Sequence, residues 1–118
     1  MDTLVRLLAQ GEDHFGSGGH NTPEFNAFFS RFKKRVRLDL QKIGGKDFVI
    51  SKGHFYISGF FTVGIKKYYF SLSDVRWTIG GDYSQLLYRT VNSYDDYTGG
   101  MNQYVALQNG WQNELKLY

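Results

Sequence analysis

One apolar stripe constrains this chain more than any other feature. Between residues 25 and 43 the apolar side chains recur at gaps of three and four, which is the period of an α-helix. The stripe consists of Phe25, Phe28, Phe29, Phe32, Val36, Leu40 and Ile43. Thr22 and Pro23 supply a cap and a first-turn residue, and Gly44 ends the helix. Several phenylalanines on one stripe need a broad apolar partner, and we expect a sheet face.

Alternating segments after residue 47 predict that sheet. The predicted strands cover residues 48–51, 54–63, 68–75, 86–91 and 103–107. Short helices are expected over residues 1–10 and 109–118, and a loop over residues 92–100. The predicted fold class is therefore α+β. An antiparallel sheet of about four or five strands packs against one long amphipathic basic helix, with short N- and C-terminal helices.

The length and the absence of cysteine exclude several classes. The chain has 118 residues, which predicts a single domain over residues 1–118. It has no cysteine, so a disulfide scaffold, a thiolate metal site and cysteine catalysis are excluded. No apolar run approaches the roughly 18 residues of a membrane span, and no signal-peptide pattern is present. We therefore expect no membrane contact, and the absence of cysteine fits a reducing compartment.

The positive charge of the chain is concentrated on the predicted helix. The net charge is +3, whereas residues 24–43 contain six Lys and Arg against Glu24 and Asp39. A basic helix can attract phosphate groups or an acidic protein surface. We take Arg31, Lys34 and Arg35 as candidate binding residues. The alternative is a solvated helix face that keeps the protein soluble.

The second candidate surface is the mixed face of the central hairpin. Its candidate binding residues are Tyr56, Phe60 and Tyr69, with Tyr88 on the next strand and Lys66 and Lys67 at the hairpin tip. Aromatic side chains on a sheet stack nucleic-acid bases at about 1–3 kcal/mol each, but they equally suit a protein interface. Alternatively, a terminal helix covers this face. The 18% aromatic content is also consistent with a homodimer.

Catalytic signals are sparse. His54, Asp74 and Arg89 would form a phosphodiester-cleaving site if the strands bring them together. Otherwise the Asp and the Arg form a structural ion pair. His14 and His20 share a Gly-rich loop, but their spacing matches no zinc motif, so we expect neither a metal nor a cofactor.

A resemblance adds a biological context. It rests on segments of this sequence between residues 19 and 107: GHNTPEF at 19–25, ISKGHF at 50–55, YFSLSDVR at 69–76, LYRT at 87–90 and DYTGG at 96–100. Together they are similar to short, functionally uncharacterised proteins of bacteriophages and mobile elements. The resemblance implies a small accessory protein of the host cell cytoplasm, in the setting to which anti-CRISPR proteins belong.

The expected function is therefore a non-enzymatic binding protein of a phage or mobile element. In this interpretation it inhibits a nucleic-acid-guided host nuclease through contacts with a host protein or ribonucleoprotein. One alternative is a module that binds single-stranded nucleic acid on the aromatic sheet face. The other is a small nuclease or hydrolase that uses His54, Asp74 and Arg89.

Overall fold

The computed structural model describes residues 23–53, 56–72, 85–108 and 110–117, and it begins with the predicted helix. Helix α1 spans Pro23–Gln41, 19 residues. The apolar side chains that it buries are each at most 1% exposed: Phe25, Phe28, Phe32, Val36 and Leu40. The helix ends two residues before Ile43, because a tight turn closes at Gly44, whose φ is 90° and whose N–H donates to the Gln41 carbonyl oxygen at 3.1 Å.

An antiparallel sheet of six strands follows the helix. Its strands are β1 (Gly45–Lys52), β2 (Ile57–Val63), β3 (Lys66–Leu72), β4 (Gln85–Ser93), β5 (Asp96–Gly99) and β6 (Gln103–Ala106). β1, β2, β3 and β4 are neighbours in chain order. β5 and β6 both pair with the side of β4 that faces away from β3, so they occupy one sheet position end to end. The predicted α+β class with an antiparallel sheet is confirmed.

The last strands and the C-terminus differ from the prediction. Residues 92–100 were predicted to form a loop, but β4 continues to Ser93 and turns back, so that Asp96 pairs with Ser93 to start β5. In place of the predicted helix over residues 109–118, the structure has one 3₁₀ turn, η1 (Trp111–Glu114). The chain then becomes extended at Leu115, and the Lys116 N–H donates to the Tyr88 hydroxyl at 2.8 Å. The predicted N-terminal helix lies outside the described residues.

The core lies between α1 and one face of the sheet, which we call the helix side. Alternation along β2 and β3 places Ile57, Phe61, Tyr68 and Phe70 there, as predicted, and each is at most 2% exposed. Tyr88 belongs to the same side, because it lies directly opposite Phe70 in the register and cross-strand partners share a face. The expectation that Tyr88 stands on the mixed face is therefore wrong. Each fully buried ring of this kind stabilises the fold by about 1.5–3 kcal/mol.

Candidate functional site

Cationic side chains lie along the side of α1 that faces solvent. Arg31, Lys34 and Arg37 are exposed, Lys33 is half-buried, and Lys42 is exposed just after the helix ends. We call these five residues the basic face. Among the helix side chains that the structure describes, Asp39 is the only acidic one, and it is buried. Its carboxylate pairs with Arg35, and Lys42 Nζ lies 3.8 Å from the same oxygen. The charges of Arg31, Lys33, Lys34 and Arg37 are therefore not offset by a described carboxylate of the helix.

Aromatic rings hold two of these cations in place. The Lys33 ammonium lies 5.9 Å from the centre of the Phe29 ring, and the Arg37 guanidinium lies 5.6 Å from that of Phe48. Such contacts are worth about 0.5–1 kcal/mol at exposed sites. Lys33, Lys34 and Arg37 also line a shallow depression of about 440 Å³. The basic face is thus partly ordered before any partner binds.

Arg35 does not belong to this surface, although we predicted it as a binding residue. It is 8% exposed, and its Nη2 atom lies 2.6 Å from Asp39 Oδ1 one helical turn later. Asp39 in turn accepts the indole N–H of Trp111 at 2.8 Å on its other oxygen. The physical reason for the correction is that a buried charge needs a partner. The charge of Arg35 is used to neutralise Asp39 and is not available to a ligand.

The face of the sheet opposite the helix side carries a row of side chains that spans four strands. We call it the open face. Cross-strand pairing places Val49, Phe60, Tyr69 and Arg89 next to one another in this row. The Arg89 guanidinium lies 5.3 Å from the centre of the Tyr69 ring, and its Nη1 donates to Asn102 Oδ1 at 2.9 Å. In a neighbouring row, Tyr104 on β6 is 59% exposed.

Tyr94 covers part of the open face. Its ring stacks on Phe60, with centroids 5.0 Å apart and an interplanar angle of 20°. Its hydroxyl donates to the Asp47 carbonyl oxygen at 2.7 Å, so the Thr62 hydroxyl at 2.7 Å must be the donor in their mutual hydrogen bond. Phe60 therefore does not offer both faces of its ring to a base. Residues 92–100 were predicted to be a loop, and their pattern carried no signal that Tyr94 would fold back.

The other predicted binding residues are spread over the sheet. Tyr56 is exposed but precedes β2, in the connection where the Gly53 N–H donates to its carbonyl oxygen at 3.0 Å. Lys66 and Lys67 are exposed at the start of β3. Lys67 pairs with Thr62 and so shares the open face with Phe60 and Tyr69, whereas Lys66 points to the helix side by alternation.

The proposed catalytic set is only partly described. His54 and Asp74 lie outside the described residues, as do His14 and His20. Arg89 lies on the open face, hydrogen-bonded to Asn102. The hydrolase alternative stays a prediction.

Sequence reasoning also missed Asn102 and Tyr104, which complete the edge of the open face. Alternation along residues 103–107 could have placed Tyr104 there. Its neighbour Val105 is apolar and buried, and Gln103 is less exposed than Tyr104, so Tyr104 lies on the opposite face from both. The Asn102 contact with Arg89 had no comparable signal.

No helix in the part of the chain that the structure describes is long and apolar enough to cross a membrane. Comparison with protein-family models, with curated proteins and with solved structures found no match. The function must therefore be inferred from the surfaces of the chain itself.

Proposed function

We propose that this chain is a non-enzymatic binding protein that contacts the phosphate backbone of a nucleic acid held in a ribonucleoprotein. The basic face is the proposed contact surface. The resemblance to short phage proteins adds the proposal that the ribonucleoprotein is a nucleic-acid-guided nuclease of a host cell, which this protein inhibits in the host cytoplasm.

One observation carries the proposal: the only acidic side chain described on α1 is withdrawn from its surface. In the sequence, Asp39 would offset one of the positive charges nearby. In the fold it is buried and paired with Arg35, so the charged side chains described on the outer side of α1 between Arg31 and Arg37 are all cations. Clustered cations on one helix face attract polyanions and neutralise backbone phosphates.

The spacing of the cations also supports a backbone contact. Arg31, Lys34 and Arg37 recur every three residues, so they lie along nearly two turns of the same helix side. The described basic face has no deep recess that would read a base edge, and its depression is shallow. A surface of this type positions a nucleic acid without selecting its nucleotide sequence.

The test is a fluorescence-anisotropy titration of labelled single-stranded RNA with the full chain and two charge-matched variants. Lys34→Glu should weaken binding by about tenfold, because it replaces an attractive contact with a repulsive one. Lys46→Glu changes the same charge at an exposed residue of β1 outside the basic face, and should have little effect. Equal losses in both variants, or no loss in either, would reject the basic face as the contact surface.

The exposure of Tyr104 supports a second candidate function, which is the binding of single-stranded nucleic acid on the open face. Of the aromatic strand side chains whose exposure the structure describes, Tyr104 is the most exposed, at 59%. It would supply the stacking surface that Tyr56 and Phe60 were predicted to give, with the Tyr69–Arg89 pair beside it. Tyr104→Ala should then weaken RNA binding by about fivefold or more. Wild-type affinity in this variant would dismiss the candidate.

A further inference from the structure

A separate cavity lies at the other end of the sheet from β1. It is open to solvent on one side, has a volume of about 590 Å³ and borders β3, β4 and β6. Tyr68, Tyr88 and Thr90 line it, and these three residues share the helix side of the sheet by cross-strand register. Small-molecule sites commonly measure about 300–1,000 Å³, so this cavity is large enough for an organic ligand.

Specific contacts fix the walls of the cavity to β4. On one side, the Lys116 N–H donates to the Tyr88 hydroxyl at 2.8 Å and anchors the C-terminal segment. On the other side, the Gly100 N–H donates to the Thr90 carbonyl oxygen at 3.0 Å, which places Met101 at the rim. A Cβ on Gly100 would come within 2.2 Å of Thr90 Oγ1, so any other residue at position 100 would have to displace the Thr90 side chain.

The charge around the cavity has one sign. None of the described residues that line it is acidic, and two exposed lysines border it, Lys66 and Lys116. Lys67 and Arg89 also border it, but their side chains belong to the open face. Lys66 and Lys116 are both exposed, which leaves their ammonium groups free to move toward a ligand. Like charges around one concave site repel each other and favour an anion there. The structure therefore points to an anionic ligand.

The remaining lining residues suit a planar polar ring. Ile65 at 95% exposed and Met101 at 83% exposed provide an apolar rim that a ligand would cover. Thr90, Asn92 and Gln103 provide hydroxyl and amide groups that can donate and accept hydrogen bonds. Both tyrosine rings are buried, so they form a floor and not a mobile lid.

We propose that this cavity binds a nucleoside phosphate, with the phosphate near Lys66 and Lys116 and the base under Met101. The nucleoside phosphate is either a free mononucleotide or the terminal nucleotide of a single strand, since the two present the same chemistry. The site shares no residue with the basic face, so its occupation does not depend on the function proposed above.

Calorimetric titration of the full chain with AMP, adenosine and inorganic phosphate tests the proposal. AMP should bind with a Kd below about 1 mM and at least about tenfold more tightly than either fragment, because it uses both halves of the site. The double variant Lys66→Glu/Lys116→Glu should lose about tenfold or more of this affinity, whereas Lys34→Glu on the basic face should keep it. AMP binding no tighter than that of the fragments, or equal losses in both variants, would overturn the proposal.

Met101→Asp keeps the test decisive if the double variant does not fold. This residue is at the exposed rim, so the substitution adds a repulsive charge without disturbing the core, and AMP affinity should fall. Competition then identifies the source of the nucleotide. Displacement of AMP by a 5′-phosphorylated oligonucleotide, but not by the same strand with a 5′-hydroxyl, assigns a strand end; displacement by neither assigns the free mononucleotide. Unchanged AMP affinity in Met101→Asp would refute the site.

Discussion

The indole N–H of Trp111 donates to Asp39 Oδ2 at 2.8 Å, across a separation of 72 residues. The same carboxylate receives the Arg35 guanidinium on its other oxygen, and Lys42 Nζ lies 3.8 Å away. One buried carboxylate therefore ties the C-terminal 3₁₀ turn to the first described helix. The burial of Asp39 also keeps its negative charge away from the helix surface, where it would weaken the basic face.

Removing this carboxylate should destabilise the fold strongly. Asp39→Ala leaves the buried Arg35 charge without its partner, and we expect a loss of about 3–5 kcal/mol in the free energy of unfolding. Urea denaturation followed by circular dichroism measures it. Asp95→Ala, in the exposed turn between β4 and β5, is the control and should change the value by less than about 0.5 kcal/mol. A small effect at Asp39 would show that the buried pair is not structurally important.

Trp111→Phe isolates the hydrogen bond within the same cluster. The ring is 2% exposed, and its replacement removes the donor to Asp39 while keeping an aromatic side chain in place. We expect a loss of about 1–3 kcal/mol from the unpaired carboxylate oxygen. The double variant with Asp39→Ala should lose less than the sum of the two single losses, because both substitutions break the same interaction. Strict additivity in the denaturation curves would contradict the coupling.

Much of the core was predictable from periodicity alone. Gaps of three and four placed Phe28, Phe32 and Leu40 on the buried side of α1, and alternation did the same for Phe61 and Phe70. Each of these patterns reflects a local geometry that repeats along the chain. The buried side of each element can therefore be recognised without knowledge of its partner.

The rest depended on contacts between segments distant in sequence. Nothing in the sequence near Arg35 indicates that Trp111 will complete a buried cluster around Asp39. The charge of Arg35 was therefore predicted to lie on the surface. Strand β5 was missed because its four residues contain Asp and Gly, which are typical of turns. Its pairing with β4 stabilises it, and single-residue preferences cannot show such pairing.

A cavity-creating substitution tests the predicted core directly. Phe32 is fully buried on α1, and its ring lies 5.8 Å from that of Phe28. Phe32→Ala should destabilise the protein by about 3–5 kcal/mol, through lost burial and the space left behind. Phe29→Ala, on the half-buried flank of the same helix, should cost clearly less in the same urea titration. Equal costs would contradict the assignment of the buried side.

Tyr68 should make stability fall at alkaline pH. Burial, and secondarily the proximity of Tyr88, raise the pKa of the Tyr68 hydroxyl above its ordinary value of 10.0. Above pH 10 the unfolded chain therefore releases this proton while the folded chain retains it, so the folded state loses stability as pH rises toward the folded pKa. Below pH 10 the contribution is fully present.

Tyr68→Phe provides the comparison for this pH dependence. The variant lacks the ionisable hydroxyl, so the wild-type protein should lose more stability than the variant between pH 9 and pH 11. Thermal unfolding at a series of pH values measures the difference. Parallel curves for the two proteins would show that Tyr68 does not contribute to alkaline destabilisation.

The salt dependence of RNA binding tests the central claim most directly. If the basic face contacts the phosphate backbone, the logarithm of the affinity for a single strand should fall linearly with the logarithm of salt concentration, by about 0.7 for each phosphate contacted. The variant Arg31→Glu/Lys34→Glu should show a shallower slope, smaller by about 1.4 for two lost contacts. An affinity that does not change with salt, or an identical slope in this variant, would contradict the claim that the outer side of α1 binds a nucleic-acid backbone.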